Sequence, residues 1–406
     1  MSAAFRNIIE TIHLLASMEN PVTSAGKTLS YQLANLDGLN HARETWYTER
    51  KSKEIFDWVQ RAQLVADFYG AVEPPVGLPN TPFSPEVWRE LEERAEAMTS
   101  GFVSGDYLLD RIDTWLLEAY ALPGLCEASP GDTVLDCGTY TGNTSMYFSQ
   151  KVGPDGHVYG FEAAPPTFAA YAENMRPFAN VTPVNAAVYD SCGSIMFKGE
   201  SPGAQIASEG TPMPSVSLDA FCEENKLDRV DFIKMDVEGA EIKALTGARG
   251  IIQRFTPKMA LSAYHEPDDI VKLPAFVDSI APGRYFFRLR HFSNCIFETV
   301  LYCIPGTDPV AAAAPRSSAY GSRMGEKECA TALLALYFCM FKSISFLVQT
   351  MEEIQNSQPL QSVTEDIIKT SEQFAAQFKE QLQETENLQK ENLILRSLLE
   401  KARAGK

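Results

Sequence analysis

The chain has 406 residues, of which 45% are hydrophobic and 22% are charged. At about 150 residues per domain this length allows two to three folded units, and the composition excludes a disordered chain, a collagen and a small disulfide scaffold. The 35 basic and 53 acidic residues give a net charge of −18, and no dense basic run is present. Nucleic acids and anionic membranes are therefore disfavoured as partners, whereas a small neutral or glycosidic substrate is not.

The eight cysteines form no C-x-x-C pair and are spread along the chain. This usage is typical of a reduced compartment and predicts neither a disulfide framework nor a zinc site. Glu10 and His13 interrupt the apolar N-terminal stretch, which lacks the apolar centre and the cleavage site of a signal peptide. We therefore expect a cytoplasmic protein.

Residues 1–100 are predicted to form a helical region. Apolar residues recur at helical spacing from Ile55 to Phe68, and a loop rich in proline follows at 72–80. Ser84 and Pro85 are typical of a helix start, as the N-cap and the first-turn residue.

Residues 101–305 show the alternating pattern of an α/β domain. Apolar runs predict strands at Thr133–Cys137, His157–Glu162, Val181–Tyr189, Val230–Asp236 and Lys258–Tyr264, with a final pair at Arg284–Leu289 and Ile296–Ile304. Helices are predicted between most of these strands, at 143–151, 165–176, 216–226 and 238–254. Buried strands that alternate with helices predict a parallel sheet with helices on both faces.

The chain beyond residue 305 is predicted to be a linker at 306–328 and a helical region at 329–406. Ala330–Val348 has the length of a membrane span, but Lys342 in its middle favours a buried helix. A heptad trace follows at Leu388, Asn392, Leu395 and Leu399. A coiled coil that makes the protein a homo-oligomer, and a solvated terminal helix packed on its own chain, are both compatible with this trace.

The first candidate site is a D-x-G-x-x-x-G turn between a predicted strand and a predicted helix. Gly138 and Gly142 permit a tight bend close to a ligand, and Asn143 can cap the helix. Asp136 and Thr139 belong to the same turn, and we treat all five residues as candidates for cofactor binding. A plain strand–helix turn is the alternative interpretation.

Glu162 is the second candidate, at the end of the next predicted strand. A carboxylate at this position can accept hydrogen bonds from both hydroxyls of a ribose, as in dinucleotide-binding folds. The pattern favours an adenosine-bearing ligand and does not by itself separate NAD from S-adenosylmethionine, although the glycine turn differs from that of a pyrophosphate site. A solvated strand-end carboxylate is the alternative.

The third candidate lies at the carboxyl end of the fourth predicted strand, where ligands bind in open α/β sheets. Lys234 and Asp236 alternate onto one side of the strand and are expected to pair, and Glu238 follows in the turn. A helix cap for Asp236 and a non-catalytic ion pair for Lys234 are the alternatives, and Glu241 is interpreted as a helix-start carboxylate. Asp236 and Glu238 alone are a weak case for a metal, so none is predicted.

The fourth candidate is His265, at the end of the fifth predicted strand. Of the five histidines it is the one placed beside the expected crevice. A neutral imidazole with a pKa near 6.5, unless its surroundings shift it, is well suited to accept a proton at physiological pH. A hydrogen bond to a loop carbonyl is the alternative.

These motifs together resemble the FkbM family of S-adenosylmethionine-dependent methyltransferases. The matching stretches are LDCGTYTGNTS at 135–145, FEAAPPTFAAYAEN at 161–174, VDFIKMDVEGAEIKALTGA at 230–248 and AYHEPDD at 263–269. The resemblance implies a class I, Rossmann-like methyltransferase fold, S-adenosylmethionine as cofactor, and O-methylation of a hydroxyl on a sugar, polyketide or other small molecule.

An O-methyltransferase is therefore the function that we expect. His265 is the candidate base, Asp236 is expected to orient the base or the amino group of the cofactor, and Lys234 is expected to keep Asp236 ionised. Two alternatives stay open: a scaffold that binds an adenosine ligand without turnover, and an NAD-linked oxidoreductase, which the glycine turn disfavours.

Overall fold

The computed structural model describes residues 28, 31–32, 35–69, 82–98, 103–105, 107–198, 205–206 and 210–310, all within one compact unit. Most of the predicted linker, the apolar segment Ala330–Val348 and the heptad trace lie outside the described residues. The coiled coil and the homo-oligomer therefore stay predictions. Within the described part of the chain, every helix is too short or too polar to cross a membrane.

Ten helices and one π-helix are assigned in the described residues. They are α1 Leu36–Thr45, α2 Arg50–Tyr69, α3 Pro85–Ala97, α4 Leu108–Asp110, π1 Arg111–Leu116, α5 Asn143–Val152, α6 Pro165–Met175, α7 Leu218–Glu224, α8 Glu241–Thr246, α9 Arg249–Phe255 and α10 Asp269–Ile280. Helix α3 begins as its sequence predicts, because the Ser84 hydroxyl accepts a hydrogen bond from the Val87 amide and Pro85 stands in the first turn.

The main sheet has seven strands in the order β10-β11-β9-β8-β1-β2-β3. Their bounds are β1 Thr133–Cys137, β2 His157–Phe161, β3 Val181–Val184, β8 Phe232–Met235, β9 Lys258–Ser262, β10 Tyr285–His291 and β11 Thr299–Pro305. Five neighbouring strands of this sheet, β9, β8, β1, β2 and β3, run parallel to one another. Strand β11 is antiparallel to both of its neighbours, β10 and β9. The mixed α/β fold with a mainly parallel sheet agrees with the expectation from the sequence.

A second, smaller sheet lies in the connection between β3 and β8, in the order β4-β7-β5-β6. Its strands are β4 Ala187–Val188, β5 Gly193–Lys198, β6 Gln205–Ile206 and β7 Thr211–Val216. The single strand predicted at Val181–Tyr189 is therefore wrong, because its two halves pair in different sheets. The helix predicted at 238–254 is also wrong as one element, since the chain breaks between α8 and α9 around Gly247, whose amide still bonds to Lys243.

The N-terminal helices pack against the edge of the main sheet. Helix α2 contacts β10, and the Leu289 amide donates a hydrogen bond to the Ser52 hydroxyl at 3.1 Å. Two Arg290 nitrogens bond to Glu49 at 2.8 and 3.0 Å, and the Tyr47 hydroxyl reaches the Ile270 carbonyl at 2.6 Å. These buried and half-buried contacts cover β10, the outer strand of the main sheet.

Candidate functional site

The carboxyl ends of four adjacent parallel strands, β2, β1, β8 and β9, meet at one edge of the main sheet. A pocket of about 280 Å³ lies there, where open α/β sheets bind their ligands. Its apolar lining residues include Phe161, Ala163, Ala186, Val188 and Phe197. Tyrosines and carboxylates also line the pocket, so its wall is mixed in polarity.

Gly138 allows the loops after β1 and β8 to approach each other closely. Its φ is +80°, and a Cβ atom built on it would lie 1.7 Å from the Asp236 carbonyl oxygen. Gly142 has a φ of +106°, and a Cβ there would lie 2.8 Å from Met175 Cε and from Tyr171 Cδ2. A side chain at either position would therefore be strained by the backbone conformation and would force neighbouring atoms to move.

Glu162 lies on the pocket wall, directly after β2. Its Oε1 atom accepts a hydrogen bond from the Ala164 amide at 2.8 Å, which fixes the carboxylate at the strand end. Burial raises the pKa of Glu162 even though backbone amides oppose the shift. This half-buried carboxylate keeps acceptor capacity for hydroxyl groups of a ligand.

Asp136 lies in the core and not on the pocket wall, which corrects its expected contact with the cofactor. Its carboxylate is fully buried and accepts hydrogen bonds from the Thr144 and Ser145 hydroxyls at 2.8 and 2.7 Å. Burial raises its pKa, although Lys234 opposes this shift. Asp136 therefore fixes the turn from β1 into α5 from behind.

Lys234 pairs with Asp136, so the predicted pairing with Asp236 is wrong. The Lys234 ammonium lies 3.6 Å from Asp136 Oδ1 and donates a short hydrogen bond to the Gly138 carbonyl oxygen. The alternation of side chains along β8 does put Lys234 on the same side as Asp236. The Lys234 ammonium nevertheless contacts Asp136 and the Gly138 carbonyl instead. Lys234 thus ties β8 to the glycine turn.

Thr139 and Asn143 are buried beneath the pocket and do not line it. The Thr139 amide donates to the Phe161 carbonyl oxygen at 3.1 Å. Asn143 donates from Nδ2 to Asp110 Oδ2 at 3.2 Å and so joins α5 to α4. The sequence predicts that both residues contact the cofactor directly. This stays a prediction, and their buried positions outside the pocket lining do not support it.

Asp236 stands on the polar wall of the pocket and is surrounded by donors. The hydroxyls of Tyr120 and Tyr264 donate to Asp236 Oδ2 and Oδ1 at 3.2 and 3.3 Å. Nε2 of His265 lies 3.4 Å from Asp236 Oδ1. The other ring nitrogen, Nδ1, lies 3.1 Å from Oε1 of the buried Glu241, but the angle of this second contact does not fit a hydrogen bond. His265 itself is not among the residues that line the pocket, so its expected position facing the acceptor stays a prediction without support from its placement.

The charge of His265 also differs from the expectation. Burial by itself lowers the pKa of His265, but Glu241, Asp236 and Glu238 outweigh burial and raise the pKa to about 9. Its surroundings therefore keep this imidazole protonated at physiological pH. A protonated imidazole donates hydrogen bonds and cannot accept a proton.

The family model for the methyltransferase FkbM domain matches residues 136–289, the part of the chain that carries this edge of the sheet. Over these residues the chain matches the FkbM methyltransferase domain. The family implies S-adenosylmethionine as methyl donor, in agreement with the cofactor expected from the sequence.

Two curated methyltransferases are similar to part of this chain. Hexuronic acid methyltransferase AglP of Haloferax volcanii is 28% identical over 154 residues, which cover 36% of this chain and 63% of AglP. The 2-O-methyltransferase NoeI of Sinorhizobium fredii is 27% identical over 143 residues, which cover 30% of this chain and 58% of NoeI. The chain thus spans about three fifths of the length of these relatives. A solved FkbM methyltransferase of Methylobacillus flagellatus aligns with a TM-score of 0.48 and 20% identity, over 68% of this chain and 60% of that one.

One group of side chains in the FkbM domain has the composition of a metal site. Ligand atoms of Asp236, Glu241 and His265 lie within 4.8 Å of one another. The same side chains also contact each other directly, with His265 Nε2 3.4 Å from Asp236 Oδ1 and Nδ1 3.1 Å from Glu241 Oε1. The three residues therefore form an ion-pair cluster in which each also offers one ligand atom to a cation.

Several pocket residues carry no motif that sequence reasoning can detect. Tyr107, Asp110 and Glu298 line the pocket but lie outside the matched segment, and Tyr140 lies inside it. The Tyr107 and Tyr140 rings stack with centroids 5.5 Å apart. The sequence offers only their positions as a signal: Tyr140 belongs to the glycine turn, and Glu298 lies in the strand predicted at Ile296–Ile304.

Proposed function

We propose that this protein transfers a methyl group from S-adenosylmethionine to a hydroxyl of a sugar. The observation that carries the proposal is one pocket bounded by Gly138, Glu162 and Asp236, at the ends of β1, β2 and β8. The family of the domain supports methyl transfer. The names of AglP and NoeI, which specify a hexuronic acid and a 2-O position, support a sugar hydroxyl as the acceptor.

The residues present fit the cofactor. Glu162 would accept hydrogen bonds from the ribose hydroxyls, and the small side chains of Ala163, Ala186 and Ala187 leave space for a flat apolar ring beside Phe161. Gly138 also lines the pocket, without a side chain to occupy it. Four buried residues do not line the pocket, and we do not assign them a direct contact with the cofactor: Asp136, Lys234, Thr139 and Asn143.

Asp236 is the group that we assign to the acceptor hydroxyl. S-adenosylmethionine, when bound, would supply the methyl group for transfer to the acceptor oxygen. Asp236 accepts the hydroxyl proton, and Tyr120 and Tyr264 keep the carboxylate in place. His265 acts through Asp236 as a positioning residue, because it lies behind the wall and carries a proton. This assignment replaces His265 as the base.

A two-part experiment tests the proposal. Calorimetry should detect binding of S-adenosylhomocysteine, and incubation with labelled S-adenosylmethionine and a set of methyl glycosides should give a labelled sugar ether. The Asp236→Asn variant is the matched control, since it keeps the shape of the side chain and removes the charge. Binding without transfer to any glycoside would favour the scaffold alternative, and absence of binding would contradict the cofactor assignment.

A further inference from the structure

An exposed phenylalanine lies at the same edge of the main sheet as the candidate site. Phe297 belongs to the loop between β10 and β11, and the exposed fraction of its surface is 39%. Val300 of β11 pairs with Ser262, the last residue of β9, and the Thr299 carbonyl accepts a hydrogen bond from the Ala263 amide at 2.8 Å. Because β11 is antiparallel to β9, the loop that precedes β11 lies beside the carboxyl end of β9.

The order of the strands separates this loop from the residue assigned to the ribose. Glu162 follows β2, Asp236 follows β8 and Phe297 precedes β11, and these strands stand in the order β11-β9-β8-β1-β2. Asp236 therefore lies between the other two along the edge of the sheet. A cofactor that extends from Glu162 toward Asp236 leaves the side of Phe297 for the acceptor.

A single tyrosine joins Phe297 to Asp236. The Phe297 ring meets the Tyr264 ring edge-on with centroids 5.9 Å apart, and the Tyr264 hydroxyl donates a hydrogen bond to Asp236 Oδ1 at 3.3 Å. The next residue along the chain, Glu298, lines the pocket, whereas Phe297 is not a lining residue. The exposed ring of Phe297 therefore stands at the border of the pocket, close to the carboxylate that we assign to the acceptor hydroxyl.

Hydrogen bonds within the loop hold this ring in a defined position. The hydroxyl of the buried Ser293 donates to the Phe297 carbonyl oxygen at 2.7 Å, and the Phe292 amide donates to the Glu298 carbonyl oxygen at 2.9 Å. A partly exposed apolar ring gains free energy when a ligand covers it, and a ring that is already held in place loses little conformational entropy on binding. Phe297 is thus pre-organised to contact a ligand at the site.

A sugar ring needs two kinds of partner. Its hydroxyls require hydrogen-bonding groups, whereas its ring C–H groups form apolar faces that a flat aromatic side chain can cover. We propose that Phe297 binds the acceptor by packing against an apolar face of the sugar whose hydroxyl meets Asp236. This inference rests on the proposed sugar methylation. Phe297 lies beyond residue 289, outside the segment that the family model matches.

Calorimetry tests the contact with three probes, the methyl glycosides of glucose, galactose and mannose, on the full chain saturated with S-adenosylhomocysteine. Phe297→Ala should weaken the binding of the best probe about tenfold, a loss in the range seen when a contacting aromatic side chain is truncated. Phe297→Trp, which keeps a flat apolar ring, should retain most of the affinity.

Leu125→Ala is the matched control, because Leu125 has the same exposed fraction of 39%. It lies at the other edge of the main sheet, since the sulfur of the adjacent Cys126 contacts the carbonyl of Met259 near the start of β9. Leu125→Ala should therefore bind the glycosides as the wild type does.

Kinetics separate a contact with the acceptor from an indirect effect on Asp236. With labelled S-adenosylmethionine, Phe297→Ala should raise KM for the glycoside about tenfold and change kcat little. Tyr264→Phe removes a hydrogen-bond donor to Asp236 and should instead lower kcat. A loss confined to kcat in Phe297→Ala would mean that the ring only supports Tyr264, and it would overturn the inference.

The affinity for S-adenosylhomocysteine shows which proposal fails. Unchanged glycoside affinity in Phe297→Ala, or an equal weakening of S-adenosylhomocysteine, would overturn the acceptor contact and leave the proposed methyl transfer standing. Absence of binding by any of the three glycosides in the wild type would also overturn it. Failure of the wild type to bind S-adenosylhomocysteine would contradict the proposed function itself.

Discussion

His265 and Asp236 form a charged pair at the rear of the pocket, with 3.4 Å between Nε2 and Oδ1. Glu241 approaches the other ring nitrogen to 3.1 Å, so the imidazole lies between two acids. Because Asp236 lines the pocket and His265 does not, the histidine acts on a ligand only through the carboxylate. His265, which the sequence suggests as a catalytic base at a strand end, is therefore better described as a residue that positions Asp236.

The first prediction concerns the protonation of His265. NMR titration of the histidine ring protons should give a pKa of about 9 for His265, identified by the signal that disappears in His265→Gln. His291 is an internal control, because burial lowers its pKa to about 3 and it should stay neutral over the same range. A midpoint near 6.5 for His265 would mean that the surrounding carboxylates do not hold its proton.

The second prediction follows from that charge and concerns the pH dependence of turnover. Since the pKa of His265 is raised, its positive charge is present below about pH 9 and is lost above it. If the charged form positions Asp236, kcat/KM should fall as the pH rises through about 9, and this fall should be absent in His265→Gln. A general base at His265 would give the opposite sign, a rate that climbs over the same interval.

The third prediction compares the two partners by substitution. Asp236→Asn should lower kcat by about 10²–10⁴-fold, the range expected when a group that accepts the proton is removed. His265→Gln should lower kcat less and leave affinity for S-adenosylhomocysteine nearly unchanged, because the ring does not line the pocket. Equal losses of turnover in both variants, with a rate that rises with pH in the wild type, would return the base to His265.

The fourth prediction concerns the nucleoside end of the pocket. Glu162→Gln keeps an oxygen that can accept the Ala164 amide and removes the charge that would hold the ribose. Calorimetry with S-adenosylhomocysteine should show affinity weakened by about 1–3 kcal/mol, the range for a lost charged hydrogen bond. The exposed Glu173 on α6 provides the matched control, and unchanged affinity in Glu162→Gln would remove the ribose assignment.

Most strands of the main sheet could be predicted because they are short runs rich in apolar residues. Predicted Thr133–Cys137 is β1 to the residue, and the antiparallel pair near 284–304 is β10 and β11. The small sheet could not be predicted, since β5 and β7 pair across a long, partly polar connection, and β7 contains two prolines. Pairing between such strands depends on tertiary contacts that no local pattern encodes.

The site could be predicted in its location but not in its contacts. Strand-end placement brought Glu162 and Asp236 to one pocket, as the parallel order of strands requires. The partner of Lys234 could not be predicted, because side-chain alternation along β8 does not reveal how closely the β1 loop approaches. The protonation of His265 depends on Glu241, which a helix-start interpretation leaves without a role at the site.

The fifth prediction measures the close approach of Gly138 to the Asp236 carbonyl. Gly138→Ala and Gly124→Ala both place alanine at a positive φ, +80° and +76°, which costs about 1–2 kcal/mol in each case. At Gly124 nothing lies within 4 Å of the new Cβ, whereas at Gly138 the Asp236 oxygen lies at 1.7 Å and the β8 loop must move. We therefore expect urea unfolding to show Gly138→Ala less stable than Gly124→Ala by about a further 1–3 kcal/mol, the cost typical of overpacking. Because the moved loop carries Asp236, Gly138→Ala should also lose turnover while Gly124→Ala retains it. Equal stability of the two variants would mean that the loops after β1 and β8 do not meet at this glycine.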